Sequence, residues 1–103
     1  MKNTMLNKAK VMLPEYEVKY IDGVKCLYKK FKGPFNIEID GLRNRYDVYV
    51  WRDNLEIVFR MQDIKVDSLK CVVEFIECMY KDNGNNLKVI DQRCKYWIRA
   101  LVK

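Results

Sequence analysis

The sequence predicts an α+β protein: an antiparallel sheet of about five strands, flanked by a short N-terminal helix and two C-terminal helices packed on one face. Three observations carry that expectation. Apolar residues recur at helical spacing near both ends, the middle of the chain alternates with a period of two, and turn-forming dipeptides punctuate the alternation. Only KDNGNN, at 81–86, breaks the pattern strongly, and no repeat or linker divides the chain, so one domain over 1–103 is expected.

The opening NTMLNKAKVML carries apolar residues at Met5, Leu6, Ala9, Val11, Met12 and Leu13, a short amphipathic helix that must end before Pro14, with Asn3 or Thr4 available as a cap. YEVKYI and VKCLYKKF follow, joined by Asp22-Gly23, a dipeptide suited to the positive φ angles of a tight hairpin turn. Pairing across it sets Ile21 opposite Val24 and Val18 opposite Leu27, gathering Tyr16, Val18, Tyr20, Leu27 and Phe31 on one face. Gly33-Pro34 then interrupts the ladder, since proline lacks the donor a paired strand needs.

FNIEID, RYDVYVW and LEIVFRM alternate more cleanly. With GLRN as one loop and Asp53-Asn54 as the next turn, Ile37 falls opposite Val48, Phe35 opposite Val50, Val50 opposite Ile57 and Val48 opposite Phe59. That register turns Tyr49, Trp51 and Val58 outward, beside Arg45, Arg60, Glu38, Asp47 and Glu56. DSLKCVVEFIECMYKD then places Leu69, Val72, Val73, Ile76, Met79 and Tyr80 at helical spacing, stopped by Asn83-Gly84. Cys71, Phe75 and Cys78 form a second apolar stripe on its flank. A covering helix through Leu87, Ile90, Cys94, Trp97, Ile98 and Leu101 would meet that stripe, although a strand through the same stretch also alternates acceptably.

The absence of histidine removes the commonest general base and the most frequent metal ligand. No phosphate-binding glycine loop and no nucleophile elbow occurs, so a non-catalytic protein without cofactor, metal or small-molecule substrate is expected. Four cysteines lack any C-x-x-C pair, and buried, unbonded thiols are the favoured reading. Cys71 and Cys78 would lie about 10 Å apart along one helix, beyond disulfide reach. No apolar run approaches the length of a membrane span, and the lysine-studded N-terminus makes a poor secretory signal. A cytoplasmic address is expected, or a host's cytoplasm if the gene is viral or mobile.

The formal charge of +6 is uneven, with eight lysines against three acids in residues 1–33. Such a stretch attracts acidic partners, although lysine and asparagine also accumulate on solvated faces in AT-rich genomes. Carboxylates Glu38, Asp40, Asp47 and Glu56 share the outer face with the aromatics; the register sets Glu38 against Asp47, with Arg60 and Arg45 placed to neutralise the group. Large aromatics among charges of both signs suit a protein interface. The expected contact set is Tyr49, Trp51, Arg45, Arg60 and Val58, meeting a protein partner, a second copy, or a larger complex that the chain inhibits. The alternative is a nucleic acid held by Lys29, Lys30, Lys32, Arg43 and Arg52, with bases stacked on the aromatics. A third reading makes the aromatics core residues beneath the terminal helices.

Overall fold

Alternation in the middle of the chain folds into a five-stranded antiparallel meander, each strand hydrogen-bonded to its sequence neighbour. The computed structural model describes residues 4–30, 34–53 and 55–83, the last three of these by their backbone alone. Helix α1 spans Thr4–Met12, strands β1 Glu17–Ile21, β2 Val24–Lys30, β3 Phe35–Leu42, β4 Arg45–Arg52 and β5 Glu56–Lys65, and helix α2 Val66–Asn83. The expected C-terminal helix, with Cys94, and the positions of Phe31 and Lys32 lie outside the described residues. Among the described residues no helix is long and apolar enough to cross a membrane.

Both helices pack on the same face of the sheet. α1 contributes Met5, Leu6 and Ala9, and α2 contributes Leu69, Val72, Val73, Ile76 and Tyr80, to one core with Leu27, Ile37, Ile39, Val48, Val50 and Phe59. The spacing on α2 is that of a single apolar stripe, and Asp67 in its first turn favours the positive end of the helix. Tyr80 closes the stripe, packing edge-on against Phe35 at 5.2 Å between ring centres. α1 is tied down by the buried Tyr46 hydroxyl, which donates to the Met5 carbonyl.

The β1–β2 register is as expected, with Ile21 opposite Val24 and Val18 opposite Leu27. Asp22 and Gly23 take φ angles of 51° and 79°, the left-handed pair that a two-residue hairpin demands. β1 nonetheless projects beyond the helical layer: Val18 and Tyr20 are exposed, while Cys26 and Tyr28, assigned to the more polar face, are buried.

Two registers differ from the expected ones. The β3–β4 connection is the two-residue turn Arg43-Asn44, and Gly41 stays in the strand, so Ile37 pairs with Val50 and Ile39 with Val48. A shift of two keeps every side chain on its expected face. Glu38 therefore faces Tyr49, and Asp40 faces Asp47. In β5 the shift is two at Val48 and Val50 and becomes odd past them. Val50 pairs with Phe59 but Trp51 with Ile57, leaving Val58 as a bulge residue. The bulge exchanges the roles of two neighbours: Ile57 is 43% exposed and Val58 packs partly against the core, the reverse of strict alternation. A second irregularity sets Gln62 and Asp63 against Asp47. Cysteine burial is also reversed on α2, where Cys71 and Cys78 are exposed and only the flanking Phe75 reaches the core.

Side-chain truncation checks the bulge. Phe59→Ala should cost about 3–5 kcal/mol in urea unfolding, as for other buried aromatics. Ile57→Ala should cost under about 1 kcal/mol, whereas uninterrupted alternation would make the two losses comparable.

Candidate functional site

The face opposite the helices is built by the odd partners of the core residues. One row, paired strand to strand, crosses the whole sheet: Glu17, Tyr28, Glu38, Tyr49 and Arg60. Alongside it stand Asn36 and Trp51, directly opposite each other, and Asp40 and Asp47. Acids and aromatics thus alternate where a helix-covered face would carry aliphatics.

This face is recessed. Tyr28, Asn36, Glu38 and Asp47 are all buried, and Tyr49 and Trp51 are half-buried. The Trp51 indole N–H donates to Glu38 Oε1 at 3.0 Å, which fixes the plane of the ring. A cavity of about 200 Å³ opens beside it, lined by Trp51, Tyr28, Lys19, Ile21 and Asp22. Lys19 extends across Tyr28 with its ammonium 4.0 Å from the ring centre, a cation–π contact that gives one wall a positive charge. Asp22 supplies the opposite sign at the hairpin tip.

Asp47 accepts the Asp63 backbone N–H at 3.0 Å, turning a buried carboxylate into the clasp of the second β5 irregularity. The Tyr49 hydroxyl approaches its other oxygen at a long 3.4 Å. Burial, then the charge on Asp47, pushes the Tyr49 hydroxyl above its ordinary pKa. Asp40 is the most perturbed acid of the face. Burial, a hydrogen bond shared with Glu38, and repulsion from Glu38 and Asp47 push its carboxyl up to about 7. Cys26, beneath them, is driven to about 12 by burial first and by Glu38 and Asp40 second.

Cys26, Glu38 and Asp40 bring their donor atoms within 4.8 Å of one another, the set among the described residues that a cation could approach. Its chemistry is mixed: a thiol held neutral by burial, beside an Asp40 carboxyl that burial and its neighbours push up, suits a hard cation poorly. A nucleophilic role for Cys26 is equally poorly served, because the thiolate is the reactive form.

The expected contact residues divide. Tyr49, Trp51 and the exposed Arg60 come together on this face, and Arg45 lies at one end of it, 3.7 Å from Asp63 and donating to the Asn44 carbonyl. Val58 is turned toward the core by its bulge. Among the basic residues, Lys30, Arg43 and Arg52 are exposed, and Lys32 lies outside the described residues. Lys29 stands apart from them on the helix side, bridging Glu15 at 2.8 Å and Glu77 at 3.6 Å. Burial works against its charge, but the two carboxylates outweigh that and raise its pKa. Tyr16, buried beneath, donates to Glu77 at 2.6 Å.

Alternation already set Asn36 beside Glu38 and Asp40 and offered Tyr28 as a neighbour of the aromatics across the sheet, whereas Lys19 and Cys26 are members of the site that it did not bring there. The β1–β2 hairpin put Lys19, Cys26 and Tyr28 on a common face, but Gly33-Pro34 marks a break without fixing the β2–β3 register, so the sequence left their position against Glu38 open.

The Asp40 shift gives a signed pH dependence. The folded state holds this proton more tightly than the unfolded chain, whose carboxyl titrates near the ordinary 3.8, so the stabilising contribution present at low pH is lost as pH rises toward about 7. Asp40→Asn should therefore gain stability relative to the parent between about pH 4 and about pH 8 in urea unfolding; a constant difference would refute the shift. Comparison with protein-family models, curated proteins and solved structures finds no match to this chain.

Proposed function

We propose that the chain is a binding protein whose outer sheet face seats a side chain of a protein partner, with Trp51 and Tyr28 as the walls of the seat. The supporting observation is the cleft itself: a flat aromatic wall held in place by the Trp51–Glu38 hydrogen bond, with Lys19 and Asp22 providing both signs of charge at its rim. Pre-set aromatic walls lose little freedom on binding, and a cavity of about 200 Å³ suits one apolar or aromatic side chain better than a free metabolite. Arg60 and Tyr49 extend the contact surface across the sheet. Inhibition of a larger complex is one form such binding takes.

The nucleic-acid alternative draws on exposed Lys30, Arg43 and Arg52 and on the net charge of +6. Against it stand the carboxylates Glu38, Asp40 and Asp47 beside the aromatics, which repel phosphate, and the engagement of Lys29 with Glu15 and Glu77.

Quantitative affinity capture from native cells tests the first reading. Trp51→Ala should lower recovery of the specific partner at least about tenfold while the protein remains folded, as loss of a buried aromatic anchor does. Equal recovery by parent and variant would remove the cleft from the interface. Generic single-stranded oligonucleotides should bind weakly even at low salt; tight binding that weakens steeply as salt rises would favour the alternative.

A further inference from the structure

β1 is the outermost strand on its side of the sheet, and among the described residues no strand pairs with its outer edge. Val18 is 47% and Tyr20 69% exposed. In a two-residue hairpin the residues flanking the turn exchange both backbone hydrogen bonds, and the pattern alternates from there. Ile21, Lys19 and Glu17 consequently direct N–H and C=O toward β2, while Val18 and Tyr20 direct theirs to the open edge. Tyr16, next in the outward series, is already engaged: its N–H donates to the Leu13 carbonyl at 3.0 Å, and its carbonyl accepts from the Lys10 ammonium. The open edge therefore amounts to the N–H and C=O groups of Val18 and Tyr20. Natural sheets commonly blunt such an edge with a projecting lysine. Lys19 holds that position but is folded across the Tyr28 ring instead.

The geometry points to a second copy of this chain as the occupant: β1 pairs antiparallel with β1 of the other copy about a two-fold axis at Lys19, doubling the five-stranded sheet. In this register Val18 faces Tyr20 of the second copy, twice, and all the open groups are used. Both residues lie on the helix side, because Val18 stands opposite the buried Leu27, so the apolar side chains of the two copies meet on one face. The charges also match. Asp22 of one copy arrives opposite Tyr16 of the other, where the Lys10 ammonium is held against the Pro14 and Tyr16 carbonyls. Glu17 lies diagonal to Lys19 of the other copy and offsets the meeting of the two lysines at the axis. Sliding the strands so that Val18 faces its own counterpart sets Tyr20 against Tyr16, whose groups are taken. Sliding them the other way leaves Val18 beyond the paired region.

Sedimentation of the full chain over micromolar concentrations tests the pairing, with a dimer as the expected species. Tyr20→Lys alters an exposed side chain and should raise the dimer dissociation constant at least about tenfold. Val18→Pro removes an outward donor without deleting a bond to β2 and should do the same. Trp51→Ala should leave the dimer intact, separating this edge from the outer face. A monomer at every concentration, a dimer indifferent to Tyr20→Lys, or a dimer dissolved by Trp51→Ala would each overturn the proposal.

Discussion

A carboxylate in the middle of a strand governs the last part of the sheet. Asp47 is buried on the outer face and accepts the Asp63 N–H, and Asp63 itself adopts a left-handed φ of 65°. That conformation costs an L-residue on the order of 1 kcal/mol, and aspartate is among the residues that adopt it most readily. Without the extra residue, the alternation running through Phe59 and Met61 would carry Asp63 into the core and Ile64 out of it. With it, Ile64 lies opposite Tyr46 and is buried, and β5 runs directly into α2 with the helix stripe facing the sheet. This side chain-to-backbone hydrogen bond thus sits where β5 turns its register so that α2 can follow with its stripe toward the sheet.

The parts of the fold that were legible are those where the side-chain period is uninterrupted. Leu69, Val72, Val73, Ile76 and Tyr80 repeat at helical steps and form the buried stripe of α2; Ile37, Ile39, Val48 and Val50 alternate and face inward. The β3–β4 turn was misplaced by two residues without consequence, since an even shift leaves the faces unchanged. Bulges are different. They carry no compositional mark: Val58 and Ile57 are equally apolar, and only the partner strand decides which of them turns inward. The α2 thiols illustrate the same limit, because a cysteine on a helix flank is buried only if something packs there. Of the site, Tyr49, Trp51 and Arg60 were legible from β4 and β5 and Tyr28 as a neighbour across the sheet, while Lys19 required the β2–β3 pairing.

The outer face satisfies several of its polar groups internally, although Asp40 Oδ1 is buried without a hydrogen-bond partner among the described residues. Trp51 binds Glu38, Asp47 binds a backbone amide, and Asp40 sits between carboxylates that make its own ionisation unfavourable. A buried polar group without such partners costs more than an apolar one, so the hydrogen bond to Glu38 helps fix the Trp51 ring. The surface that results is shaped before any partner arrives. Its charge is locally balanced although the chain as a whole is basic.

Because every strand pairs with its neighbour in sequence, the sheet can zip hairpin by hairpin, each step closing only a short loop. The links that fasten the helices are the remote ones: Tyr46 to Met5, 41 residues apart, and Tyr16 to Glu77, 61 apart. Loop-closure entropy therefore weighs most on these two long-range links, while the strand-to-strand contacts of the meander close over short loops.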